Sequence, residues 1–312
     1  MRNGVAISAA VFLSACSGTR GSGAGLSPSG AAESPFEPFS HARPGARDVI
    51  PNTYPTMLYV DDLANNTVDV LKNRSWKILN TITDGIDGPA GIFMDRHADL
   101  LVANNAGHNV TEYEYSGQLE FTYTAGIKSP NVVTADKLSA VFEGDADNSV
   151  SELPPHQNQA ITCATPGPVY GIAVDQYGNV YASVGGQGGK IIYFSRGLIY
   201  SGCGYGEDTI KFNFSYGIAL DKERNLVVCD VGAKTVDIVA PNGTIIGTLG
   251  SGWSAPTNVS IDREGTEAFV TDEGTHTVEV LTYPSGAHVA TIGSGNGIAA
   301  PQDAVSLKNY AP

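Results

Sequence analysis

From residue 57 onward the chain alternates short apolar runs with turn residues and shows no sustained helical period. Over residues 214–251 the runs are 216–220, 226–229, 235–239 and 245–249. Between them lie Asp221-Lys222-Glu223-Arg224-Asn225, the segment 230–234 and Pro241-Asn242-Gly243, the last a strong turn signal. Val236, Ile238 and Ala240 fall on one face, and Thr235, Asp237 and Val239 on the other. A period of two over four or five residues predicts strands rather than helices.

The pattern recurs. The phrases GPAGIFMDRHADLLVANN (88–105), GPVYGIAVDQYGNVYASVGG (167–186), SYGIALDKERNLVVCDVG (215–232) and APTNVSIDREGTEAFVTDEG (255–274) repeat, with a weaker copy at 129–147. The aspartates that end the first run of each copy are Asp95, Asp136, Asp175, Asp221 and Asp262, spaced 39 to 46 residues apart. Four short strands at this period make a propeller blade. These five copies account for five blades, and the chain ends supply a sixth. Pro301-Gln302-Asp303-Ala304-Val305-Ser306-Leu307 copies a first strand, and residues 57–60, 67–71 and 76–82 supply the other three. The expected fold class is therefore all-β: a six-bladed β-propeller of four-stranded blades over 57–312. Pairing of the C-terminal strand with the N-terminal strands closes the ring and removes a free sheet edge.

The wording of the repeat resembles the NHL family of propellers, and residues 167–194 (GPVYGIAVDQYGNVYASVGGQGGKIIYF) are its best copy. The match is poorest at 130–165, where ELPPHQ interrupts the third and fourth strands. The resemblance implies the fold and leaves the activity open, because propellers host unrelated functions.

The N-terminus changes the setting. Met1-Arg2-Asn3 opens a mostly apolar run, 5–15, too short to span a bilayer, which ends in Leu13-Ser14-Ala15-Cys16. This looks like a bacterial lipoprotein signal over 1–15, with Cys16 the lipidated residue. The expected location is exported and lipid-anchored, at the outer membrane or cell surface. Residues 16–56 then carry the lipidated Cys16 and a Gly/Ser/Pro-rich tether, with a root-mean-square reach of about 35 Å.

The formal net charge is −14, with 18 Lys and Arg against 32 Asp and Glu. A phosphate-binding surface needs the opposite balance, so nucleic acid is not an expected partner. An exported chain permits disulfides. Cys163 and Cys203, near the ends of neighbouring repeats, are the candidate pair, which leaves Cys229 a buried thiol.

The second strands end in Asp61, Asn104, Asp230 and Asp272, with Gly144 and Val184 in the other two blades. An Asp at this place ordinarily caps its own turn, and an acidic ring binding a cation is the sharper alternative. The loops beyond add Asp62, Asn105, Asp145, Asp147, Glu273, His108 and His276 as candidates for a binding face. His108 and His276 occupy equivalent turn slots in separated blades, and Asn66 and Lys234 fill the same slot elsewhere. That makes them turn residues before zinc ligands.

First strands line the central channel. Their entry positions are Gly91, Val132, Gly171, Gly217, Asn258 and Asp303, preceded in most blades by Asn131, Tyr170, Tyr216, Thr257 and Gln302. Asp303 and Asn258 are the candidate channel ligands for Ca²⁺ or Mg²⁺, which favour oxygen donors. No nucleophile–base pair is visible. Two functions follow. The first is a monomeric, membrane-tethered binding or scaffold module for an envelope protein, peptide or glycan, with no cofactor. The second is a metal-dependent lyase or lactonase, as the resemblance to streptogramin lyases and gluconolactonases implies.

Overall fold

The computed structural model describes residues 56–185, 188–207 and 211–307. The signal peptide, Cys16 and the tether up to residue 55 lie outside the described residues. Blade 1 contains β1 (Met57–Asp62), β2 (Thr67–Lys72) and β3 (Lys77–Ile82). Blade 2 follows with β4 (Pro89–Met94), β5 (Leu100–Asn104), β6 (Asn109–Tyr113) and β7 (Leu119–Tyr123). Blade 3 has β8 (Pro130–Ala135), β9 (Val141–Asp145), β10 (Ser149–Leu153) and β11 (Ile161–Ala164). Blade 4 has β12 (Val169–Val174), β13 (Val180–Val184), β14 (Lys190–Phe194), a one-turn helix α1 (Gly197–Ser201) and a two-residue β15 (Gly206–Glu207). Blade 5 has β16 (Ser215–Leu220), β17 (Leu226–Asp230), β18 (Thr235–Val239) and β19 (Ile245–Thr248). Blade 6 has β20 (Pro256–Ile261), β21 (Glu267–Asp272), β22 (Thr277–Thr282) and β23 (His288–Ile292).

The last strand, β24 (Pro301–Leu307), pairs antiparallel with β1, Met57 opposite Leu307 and Tyr59 opposite Val305. The result is six four-stranded antiparallel sheets, the first assembled from both ends of the chain as expected. The inner strands contact one another in ring order, β24 lying between β20 and β4. Gly171 shows why small residues recur on this ring: a Cβ there would press on the backbone of Tyr216 and Ile218 in the next inner strand.

Six hydrophobic clusters occupy the six seams between blades, one each. Each blade thus buries one face against the preceding blade and the other against the next. Alternation along the strands supplies both faces.

The conserved wording of the repeat has a local cause. In each blade from 2 to 6 the Asp after the first strand accepts backbone N–H groups of the turn that follows. Asp95 receives His97 and Asp99 (2.7 and 2.9 Å), Asp175 receives Tyr177 and Asn179 (both 2.9 Å), and Asp262 receives Thr266 and Glu267. These are Asx turns that fix the reversal between first and second strands.

The expected disulfide is present. Residues 202–205 lie inside blade 4, between α1 and β15, and place Cys203 beside β11 of blade 3. There it forms a disulfide with Cys163, Cα atoms 5.2 Å apart, and Cys229 is buried and free. The sequence assignment that needs correction is one of register. The slot at the end of the second strand is filled by Asp62 and Asp145, not by Asp61 and Gly144. Asp62 faces Pro301 and Asp145 faces Pro130, as Asn104 faces Pro89 and Asp272 faces Pro256. A bulge just after the first residue of the inner strand is common to all six blades, and the slot is the residue that faces that first residue.

Candidate functional site

The upper face of the ring carries the second-to-third strand turns and the loops that enter each inner strand. Its loops are built by the ring-slot acids. Asp62 accepts N–H groups of Ala299 and Ala300 (2.7 and 3.0 Å), Asp145 those of Lys128 and Ser129 (2.8 and 3.0 Å). Asp230 and Asp272 do the same for Asn213–Phe214 and Ser254–Ala255. All four are buried, so each holds down the loop leading into its own blade. Asp62 and Asp145 are therefore loop clamps and are not presented on the binding face. An unpartnered buried N–H costs roughly as much as a lost hydrogen bond, which explains why the repeat keeps an acceptor here.

Of the other upper-face candidates, Asn105 is half-buried and donates to Asn131 Oδ1 (3.1 Å), while Asn131 donates to the Val169 carbonyl (2.9 Å). That chain of amides crosses blades 2, 3 and 4. His108 and His276 have φ of 54° and 55°, matching Asn66, Asn148, Lys234 and Gly188 in the same turn of the other blades. The slot requires a left-handed residue, which His and Asn tolerate better than most. The two histidines are exposed on blades 2 and 6, with blade 1 between them, and His108 Nδ1 contacts the Lys128 carbonyl. Asp147 and Glu273 are exposed.

The central channel encloses a cavity of ≈ 300 Å³, walled mainly by Ile92, Met94, Ile172, Ile218, Val259 and Val305. Asp303 and Asn258 both line it. Their oxygens are engaged: Asp303 accepts the N–H groups of Ile92 (3.1 Å) and Ala304 (2.7 Å), and Asn258 Oδ1 accepts that of Val259 (2.9 Å). The Ile92 bond joins the closing strand to blade 2. Asp61 lies behind Asp303 and accepts the Gln302 and Asp303 N–H groups. Burial, then the Asp303 charge, holds the Asp61 carboxyl well above the ordinary range, and burial pushes Asp303 up to about 7. A Ca²⁺ ion takes six to eight oxygens and Mg²⁺ a near-octahedral set. Two side chains already spent on backbone N–H groups, in a mainly aliphatic wall, do not fit either ion.

One group of side chains at the upper mouth is not spent in this way. Tyr170 and Tyr216 occupy the same repeat position on β12 and β16, and their rings stack at 4.2 Å with an interplanar angle of 17°. Phe214 tilts against both, at 5.9 and 5.4 Å. All three are half-buried. A Cβ at Gly185 would overlap the Tyr170 ring, so glycine there is the seat on which the ring rests. Burial, then Tyr170 and the carboxylate of Glu273, push the Tyr216 hydroxyl up to about 12, so it remains a proton donor. The arrangement is an aromatic platform with a carboxylate on its blade 6 side. Sequence reading placed Tyr170 and Tyr216 on the inner strands but did not bring Phe214 to them, because Phe214 precedes its strand and has no aromatic counterpart in the repeat.

No protein-family profile matches the chain, and no curated protein matches it. Solved structures do. One chain in a crystal structure of a nidogen/laminin complex superposes with a TM-score of 0.67 at 16% identity, covering 81% of this chain and 99% of that one. Virginiamycin B lyase from Staphylococcus aureus superposes with a TM-score of 0.57 at 11% identity, covering 78% of this chain and 85% of that one. This chain is a six-bladed β-propeller. At these identities the likeness establishes the fold alone.

Proposed function

We propose that this propeller is an envelope-anchored lipoprotein of NHL-like repeat that acts as a binding module, engaging a protein or peptide partner across its upper face. The observation that carries the reading is the half-exposed Tyr170–Phe214–Tyr216 platform, whose Tyr216 hydroxyl feels the charge of Glu273. Stacked aromatics held by a fixed backbone present contact area at low entropic cost, and Tyr is enriched where interfaces concentrate their energy. A carboxylate beside π faces favours a cationic group, which gains from both the ring quadrupole and the negative charge. The formal charge of −14 adds long-range attraction for basic partners. The partner class is therefore a protein segment that presents Lys or Arg. A lipidated Cys16 and the tether would hold the domain at the membrane while leaving this face free.

The test is capture by the purified full-length chain of envelope proteins and of a basic-peptide array, with Tyr216→Ala alongside. The reading expects a discrete partner that loses at least tenfold in affinity with Tyr216→Ala while the variant melts at an unchanged temperature. Equal binding by both proteins would remove the platform from the argument. The alternative of a metal-dependent lyase or lactonase rests on the fold likeness to virginiamycin B lyase. It would require Asp303 and Asn258 to surrender their backbone partners to an ion.

A further inference from the structure

We propose that Glu112, Glu120 and His156 form a zinc site bridging blades 2 and 3 on the flank of the ring, away from the channel and the aromatic platform. The three residues come from β6, from β7 and from the β10–β11 loop, and one ligand atom from each lies within 4.8 Å of the others. His156 Nε2 stands 3.2 Å from Glu112 Oε2. Zinc bonds of about 2.0–2.2 Å in a tetrahedron place neighbouring ligand atoms roughly 3.3–3.5 Å apart, so the Glu112–His156 pair already has the spacing an ion needs, and Glu120 lies within 4.8 Å of both. One imidazole with two carboxylates is a donor set that suits Zn²⁺ better than Ca²⁺ or Mg²⁺, which take oxygen alone. Three protein ligands also leave a fourth position for water or a ligand group.

The residues around the triad orient it. The Tyr123 hydroxyl donates to Glu112 Oε2 (2.7 Å) and accepts the His156 backbone N–H (3.0 Å), fixing two ligands at once. Phe121 stacks on the imidazole, centroids 5.4 Å apart and planes 20° apart. Outer partners of this kind hold ligand geometry in metal sites. Glu112 is buried, while Glu120 and His156 are half-buried, which leaves a solvent path to the site. His156 belongs to the ELPPHQ segment, the place where the repeat departs most from its pattern. No other blade has a His there.

The test uses the full-length chain, dialysed against EDTA and titrated with ZnCl₂ by calorimetry and thermal melting. The proposal expects one zinc per chain and a rise in melting temperature that equal CaCl₂ or MgCl₂ does not reproduce. It also expects His156→Ala and Glu120→Gln each to weaken zinc binding at least tenfold, in proteins that still melt cooperatively. Glu120→Gln changes only a half-exposed charge, so it keeps the test valid if His156→Ala misfolds. X-ray absorption of the loaded protein should show a nitrogen and oxygen shell with no sulfur. An unchanged melting temperature with zinc, or zinc binding equally tight in Glu120→Gln, overturns the site and leaves His156 and Glu112 as a packing contact.

Discussion

At Glu143 a carboxyl fills a slot that the other five blades fill with Val60, Val102, Ala182, Val228 and Val270. Glu143 is fully buried, and neither carboxylate oxygen has a hydrogen-bond partner. The Ser151 hydroxyl across the strand pair is turned to Thr162 (3.0 Å) and the Gly126 carbonyl. Burial is the first cause of a carboxyl pushed from 4.5 to about 8; the nearby Ser151 hydroxyl offsets part of the rise and Asp145 adds to it. A group whose folded pKa is raised contributes stability that is complete below its unfolded value and is lost as pH rises through the folded value. Glu143 therefore costs progressively more between pH 4.5 and about 8. Glu143→Val, which restores the residue of the other blades, should stabilise the domain by roughly 1–3 kcal/mol, a few degrees at this size. Melting at pH 5 and pH 8.5 checks it: the gain should be larger at pH 8.5. An equal gain at both would mean that the side chain reaches water.

At the scale of elements, β24 is the piece on which the ring depends. It pairs with β1, packs between β4 and β20, and carries Asp303, which caps Ile92 of blade 2. Ending the chain at Ala300 should expose the edge of β1 and both flanking seams. The expected outcome is loss of the cooperative melt, and an unchanged melting temperature would contradict the closure. The Cys163–Cys203 bridge ties blade 3 to the loop before β15 across a separation of 40 residues. Closing a loop of that length restrains the unfolded chain by about 4 kcal/mol in the entropy estimate. Cys163→Ser should accordingly lower the melting temperature, and reduction of the native protein should reproduce the shift.

The blades and their closure were legible in the sequence because each first strand ends in an Asp that builds its own turn, and because the apolar runs alternate. The register at the upper face was not, since Asp61-Asp62 and Gly144-Asp145 each offer two adjacent residues for one slot, and only the pairing with Pro301 and Pro130 selects Asp62 and Asp145. Tyr170 and Tyr216 share a repeat position and could be set on neighbouring strands. Phe214 and the Glu112–Glu120–His156 group could not, because they meet only through contacts that the repeat does not encode.

Across the whole molecule, three buried carboxyls act in one direction. Asp61 is held well above its ordinary value, Asp303 sits at about 7 and Glu143 at about 8, each raised first by burial. All three favour the folded state at low pH, and that stabilisation is lost as pH rises from about 4 towards 8. The formal charge of −14 at pH 7 works the same way, because ionisation adds self-repulsion to a chain already rich in acids. The full-length protein should therefore melt at a higher temperature at pH 5.5 than at pH 8.5. Salt separates the two causes: it screens exposed charges but barely reaches buried ones. Adding sodium chloride at pH 8.5 should recover the part due to repulsion, while Glu143→Val should recover a part that salt does not. A melting temperature that is flat or rising from pH 5.5 to 8.5 would mean the channel and seam carboxyls ionise without cost, and the interior described for Asp61, Asp303 and Glu143 would have to admit water.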